Sequence, residues 1–234
     1  MEFTGERCIV GKSGELLEKE HLARYEFALQ YVDGKKVLDI GCGSGYGVDL
    51  IASKASEVIG VDISKEAMNY ARQHYKRKNI TFCVGDAIHL DFLKDRKFDV
   101  IICFEVIEHV ANYFQCLKEI RRLLKHDGIL IISTPNKRYY NPNSEKLVNP
   151  FHVIEFELAD FKELLGKYFG NVKVFGQRYH QTNIKKMVKK LLPQRVCQMV
   201  FLRTARDVYN TRQASKFRDK NVENHSYFIT ICKK

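Results

Sequence analysis

A chain of 234 residues, 45% of them hydrophobic, can fold as one α/β domain with a full core, and no apolar run approaches the roughly 18 residues of a membrane span. Seven cysteines, odd in number and never spaced as CxxC, argue against a disulfide framework or a zinc site and fit reduced thiols in a cytosolic protein. The net charge of +11 is uneven: residues 178–220 hold 12 Lys and Arg against 2 Asp and Glu, net +10, and the rest is near neutral at +1, so the excess speaks of partners rather than of fold.

The opening "MEFTGERCIV" lacks the basic and apolar regions of a secretion signal. Residues 15–31 carry apolar side chains at helical spacing, and strands and helices then alternate. "KKVLDI" (35–40) reads as a strand ending in Asp39, and "GYGVDLIASKA" (45–55) opens a helix. "EVIGVDI" (57–63) is a second strand, and Ser64 is the predicted N-cap of the helix "KEAMNYARQHYKR" (65–77). "NITFCVGDA" (79–87) and "FDVIICF" (98–104) are the third and fourth strands. "YFQCLKEIRRLLKHDG" (113–128) predicts an amphipathic helix stopped by Gly128, with "ILIISTPN" (129–136) as strand five.

From Thr134 to Glu155 no period is visible, and three of the four prolines fall there, which predicts a long functional loop. A helix follows at 157–169, then two last strands at 171–177 and 226–234. The pattern predicts a single α/β domain over 1–234: a seven-stranded, mostly parallel sheet with helices on both faces and a basic helical lid, 178–220, inserted between the last two strands. Sheets of this kind bind ligands at the carboxyl ends of their strands. Those ends carry Asp39, Asp62, Asp86, Glu105 and Thr134.

The strongest motif is "VLDIGCGSGYG" (37–47), a strand running into Gly41, Gly43 and Gly45 and then a helix. Glycines permit the tight turn and the close approach of backbone to a ligand. The spacing is GxGxG rather than GxGxxG, and Asp39 precedes it; a carboxylate there repels a pyrophosphate and attracts an ammonium or sulfonium. An oxidoreductase is therefore the least favoured reading. "VLDIGCGSG", "VIGVDIS" and "VGDA" together resemble the class I S-adenosylmethionine-dependent methyltransferases over roughly residues 20–177 plus the last strand. The resemblance implies a Rossmann-like fold with the Gly41–Gly45 turn against the amino-acid part of S-adenosylmethionine. It also implies Asp62 on the ribose hydroxyls, Asp86 and Ala87 beside the adenine, and Arg24 as a candidate for the cofactor carboxylate.

"FEVIEHV" (104–110) sets two carboxylates and an imidazole at the end of an apolar strand. If a helix begins there, Glu105, Glu108 and His109 share one face. Carboxylates crowded in a dry site repel unless a cation joins them, and oxygen ligands with an imidazole suit Mg²⁺, Mn²⁺, Fe²⁺ or Zn²⁺. His152, in "NPFHVIEF", is the one loop histidine that could complete the set. "EVIEHV", "STPN" and "FHVIEF" are similar to the ubiquinone-pathway O-methyltransferases and to the small-RNA 3′-terminal 2′-O-methyltransferases. The latter resemblance implies metal ligation by Glu105, Glu108, His109 and His152; without metal, His109 reads as a general base.

In "IKKMVKKLL" (184–192) apolar residues fall on one helical face and lysines on the other. Through 184–209 the segment fits a peripheral membrane contact, a phosphate-bearing or lipid-linked substrate, or a lid with solvated lysines. Nucleic acid ranks lower, because aromatics do not interleave the basic run. The expected activity is methyl transfer to a hydroxyl oxygen of a small molecule, glycan or lipid-linked intermediate. The alternatives are an RNA 2′-hydroxyl acceptor and a non-catalytic cofactor-binding subunit.

Overall fold

The computed structural model describes residues 15–95, 97–140, 147, 149–178, 216–218 and 221–234. The basic segment, beyond its two edges, lies outside the described residues, as does all of 184–209. Helix α1 (Glu15–Ala28) leads into β1 (Lys36–Ile40), α2 (Tyr46–Ile51), β2 (Glu57–Asp62), α3 (Lys65–His74) and β3 (Ile80–Val84). There follow β4 (Phe98–Phe104), a 3-10 turn (Ile107–His109), α4 (Tyr113–Leu123), β5 (Leu124–Pro135) and the short α5 (Lys137–Tyr140). Helix α6 (Leu158–Gly166), β6 (Gly170–Arg178), β7 (Lys216–Arg218) and β8 (Tyr227–Lys233) complete it.

The strands form one sheet in the order β3-β2-β1-β4-β5-β8-β6-β7. The first five are parallel, and β8 runs antiparallel to β5 and β6. Seven of these strands are the predicted ones. The eighth, β7, pairs with β6 through Gly176↔Arg218 to Arg178↔Lys216 at the sheet edge; three residues inside a basic run leave no period to read. The chain reverses its direction of travel across the sheet between β1 and β4, so a crevice opens at the carboxyl ends of those two strands.

The period of two along each strand separates two cores. On one face Val37, Val58, Val100 and Ile102 meet α1, α2 and α3 through Tyr25, Ile51 and Met68. On the other Leu38, Ile59, Ile101 and Leu130 meet α4 and α6 through Leu117, Ile120 and Phe161. With both faces covered, the strands are continuously apolar. Ser64 caps α3 as predicted, its hydroxyl accepting from the Ala67 N–H at 3.2 Å.

Helix α4 is shorter than its sequence pattern. Leu124, at φ −66° and ψ 139°, already has strand geometry and pairs with Phe98. Gly128 therefore lies inside β5 and caps nothing; a Cβ there would stand 2.9 Å from Leu124 Cδ2. The predicted loop from Thr134 likewise starts later, because Thr134 and Pro135 pair with Phe228 and Tyr227 of β8.

The third difference bears on the site. Glu105 does not open a helix: it adopts φ +53°, Val106 lies outside the helical region, and only Ile107–His109 make a turn. The Glu105 N–H still donates to Ser133 C=O, so the residue stays tied to the sheet while the chain reverses. Glu105 is thereby turned off the face it was expected to share with Glu108 and His109.

Candidate functional site

A cavity of about 720 Å³ opens at the β1/β4 crevice, within the range of small-molecule sites. Its lining includes Gly41, Gly43, Asp62, Asp86 and Ala87 toward one end and Glu105, Glu108, His109 and His152 toward the other. Arg24, Asp39 and Gly45 stand behind this lining.

The glycine turn is held by backbone. Gly41, Gly43 and Gly45 have φ of +72°, +54° and +88°, a region that L side chains avoid. The N–H groups of Gly41 and Cys42 donate to Val61 C=O, and that of Gly43 donates to Asp62 Oδ2 at 2.9 Å. Asp62 Oδ1 accepts from Ser64 N–H at 2.9 Å, so one carboxylate fastens both the turn and the start of α3 while facing the cavity. A Cβ on Gly41 would meet Val106 Cγ2 at 2.2 Å, which shows how closely the turn packs on the segment after β4. Gly47, not singled out from the sequence, is needed for packing: a Cβ there would overlap the Tyr25 ring at 2.0 Å. The "GYG" spacing was the available signal.

Asp39 takes a different place from the one its sequence position suggested. It is fully buried on the α1 face of the sheet, where the Tyr25 hydroxyl donates to its Oδ2 at 2.9 Å. Burial raises its carboxyl to about 8, the Tyr25 bond opposing and the Asp62 charge adding. It lies beneath the turn, and the carboxylates lining the cavity are Asp62, Asp86, Glu105, Glu108 and Glu155. Asp86 Oδ1 accepts from Ile88 N–H at 3.1 Å, which shapes the rim beside Ala87.

Arg24 is completely buried. Its guanidinium stacks 4.2 Å from the Tyr227 ring centroid, and Nη2 stands 3.7 Å from Glu105 Oε2. None of its three guanidinium nitrogens has a hydrogen-bond partner among the described residues. Burial works against its charge, but Glu105 and Tyr227 outweigh that and strengthen it. A buried guanidinium with unused donors beside a cavity suits a carboxylate ligand. His21, which lines the same end, contacts the Tyr46 hydroxyl at 3.1 Å through Nδ1. Burial, then Arg24, drives its imidazole well below the usual histidine range, so it is neutral.

At the other end Glu108, His109 and His152 come together: one ligand atom from each lies within 4.8 Å of the others. Glu105 does not join them, since Ser133 Oγ donates to its Oε1 and Arg24 faces its Oε2. Glu108 is 1% exposed; Thr134 Oγ1 donates to its Oε2 at 3.1 Å, and its Oε1 has no partner among the described residues. Burial first, then the Glu105 charge, pushes its carboxyl well above the usual carboxylate range. Such a group holds a proton or needs a cation beside it. His109 Nδ1 lies 3.1 Å from Phe151 C=O, an acceptor only, so Nδ1 carries the proton and Nε2 the lone pair. The sequence spacing found Glu108 and His109 and placed Thr134 at a strand end, but missed Ser133; the two hydroxyls decide which carboxylate goes where.

A family model described as "Methyltransferase domain" matches residues 32–190. A "Probable S-adenosylmethionine-dependent methyltransferase" of Mycolicibacterium smegmatis is 37% identical over 166 residues, covering 70% of this chain and 63% of the relative. A ubiquinone biosynthesis O-methyltransferase of Glaesserella parasuis is 35% identical over 164 residues, covering 58% of this chain and 70% of that one. The matched stretch thus spans a little over three fifths of the mycobacterial relative's length. Among solved structures, a SAM-dependent methyltransferase from Thermotoga maritima superposes with a TM-score of 0.63 at 21% identity, over 94% of this chain and 95% of that one. The [4+2]-cyclase SpnF does so with a TM-score of 0.63 at 18% identity, over 98% and 86%. At such identities the likeness is of fold, which hosts more than one chemistry.

Proposed function

Because this chain belongs to the S-adenosylmethionine-dependent methyltransferases, we propose that it transfers the methyl group to a hydroxyl oxygen, the acceptor being a small molecule, a glycan or a lipid-linked intermediate. S-adenosylmethionine is the cofactor of that family and carries the methyl on a cationic sulfur. The observation that carries the proposal is the shared cavity: the glycine turn and the Glu108–His109–His152 cluster line one cleft. Asp62 and the backbone of the turn hold the cofactor end, and Arg24 takes its carboxylate. The cluster orients the acceptor oxygen and receives its proton at a histidine Nε2. Val106 packs against Gly41 and lines the same cavity.

Glu108, His109 and His152 also fit a divalent metal: two imidazoles, and one buried carboxylate with an unused oxygen. A metal held there would acidify and orient a coordinated hydroxyl. The set is three residues rather than the four expected from the RNA enzymes, which favours a small acceptor over an RNA 2′-hydroxyl. The basic segment 178–220, most of which lies outside the described residues, would by its charge draw in an anionic or membrane-bound acceptor. Peripheral membrane association follows from it; among the described residues no helix is long and apolar enough to cross a membrane.

The test measures S-adenosylmethionine binding, then S-adenosylhomocysteine formation with phenolic, glycosidic and lipid-linked hydroxyls beside amines and RNA. Turnover on a hydroxyl, lost on chelation if metal assists, is the expected result. Transfer to amines alone overturns the acceptor assignment, and binding without any turnover points to the non-catalytic subunit.

A further inference from the structure

Behind His152 lies Glu155, a carboxylate on the same loop whose side chain is only 4% exposed. Its Oε1 stands 3.2 Å from His152 Nδ1. Asn149 Nδ2 stands 3.1 Å from the other ring nitrogen, Nε2. The orientation of that amide follows from Phe151, whose N–H donates to Asn149 Oδ1 at 3.0 Å and so turns the NH₂ toward the imidazole. A carboxylate oxygen accepts and an NH₂ donates, so both ends of the ring specify one tautomer: proton on Nδ1, lone pair on Nε2. His109 has the same form, fixed by the Phe151 carbonyl. The loop 149–155 thus programs both imidazoles, with a neutral acceptor for one and a buried carboxylate for the other.

We propose that Glu155 is the positioning residue of this site, holding His152 in the Nδ1–H tautomer so that its Nε2 keeps a lone pair, which the Asn149 NH₂ holds until an acceptor or metal displaces it, in the cluster with Glu108 and His109. This rests on the reading of those three residues as the acceptor-side cluster. Without Glu155 only the Asn149 NH₂ opposes a proton on Nε2, and a ring protonated there can neither accept a hydroxyl proton nor ligate a metal through that nitrogen. A carboxylate at the distal nitrogen also fixes the ring orientation.

The test compares the full chain with Glu155→Leu and Glu155→Gln by ¹⁵N NMR of the ring nitrogens and by calorimetric titration with Mn²⁺ alone. The wild-type His152 is expected to show a protonated Nδ1. E155L is expected to show mixed tautomers and about 10- to 100-fold weaker Mn²⁺ binding. E155Q, whose amide oxygen still accepts, is expected to keep the tautomer and to recover most of the affinity, which a loss of packing alone would not explain. Cofactor affinity should be unchanged in both variants. An unaltered His152 tautomer in E155L, or Nε2–H in a folded E155Q, overturns the role of Glu155. A wild-type chain that binds no Mn²⁺ while E155L still shifts the tautomer supports it and removes the metal from the proposed function instead.

Discussion

At the glycine-turn end of the cavity the groups that set its geometry are chiefly backbone, drawn from eleven consecutive positions of one strand and turn. At the acceptor end they are side chains from segments 42 residues apart, joined by His109 and the Phe151 carbonyl. The first end is specified by conformation: a positive φ or a clash of 2.2 Å admits glycine and little else. The second is specified by pairing: two glutamates three residues apart differ because Ser133 and Arg24 take one and Thr134 takes the other. A site of the first kind fails through distortion of the chain; one of the second kind fails by losing chemistry with the fold intact.

The largest effect expected from that contrast is at Gly41. Gly41→Ala adds a Cβ against Val106 and strains a backbone at φ +72°; stability should fall by about 2–4 kcal/mol, with calorimetric binding of S-adenosylmethionine abolished. Adding Val106→Ala relieves the clash but not the strain, so partial recovery in the double variant would separate the two causes. Glu108→Gln is the counterpart. Transfer should fall by about 10²–10⁴-fold while cofactor affinity stays within about threefold of the parent. Its melting temperature should hold or rise, since a buried ionisable group is replaced by a neutral one. A Glu108→Gln chain that loses the cofactor as well would break the contrast.

The same division explains what could be read from the sequence. Alternating apolar strands and helices, the glycine spacing, Asp62 at the end of β2 and the Ser64 cap are local patterns, and the structure has them where the sequence puts them. The misreadings concern residues whose role is set across the sheet. The apolar periodicity of α4 continues through Leu123 and Leu124, but Leu124 is drawn into pairing with Phe98, so the helix ends five residues before the glycine that looked like its stop. Glu105, Glu108 and His109 have helical spacing, yet the ladder bond to Ser133 and the ion pair to Arg24 hold Glu105 elsewhere. Asp39 is the instructive case: its position beside the turn is local information, but strand alternation sends its side chain to the α1 face and under Tyr25.

That placement yields the smallest of the expected effects and the one with a defined pH window. The Asp39 carboxyl is raised from 3.8 to about 8 by burial. Below pH 4 it is protonated in both folded and unfolded chains and contributes nothing to the difference. Between pH 4 and 8 the folded chain retains a proton that the unfolded chain has released, so stability declines as pH rises through that window and levels off above it. An asparagine in its place would mimic the protonated acid and keep an oxygen for the Tyr25 hydroxyl. Asp39→Asn should therefore melt like the parent near pH 4 and above it at pH 8, by up to a few kcal/mol at about 1.4 kcal/mol per pH unit. Thermal melts of both chains across this range test it. A gap that does not widen with pH means that Asp39 is ionised in the folded chain throughout; the turn then rests on a charged floor, and electrostatic attraction for a cationic cofactor comes from beneath the glycines as well as from the carboxylates in front of them.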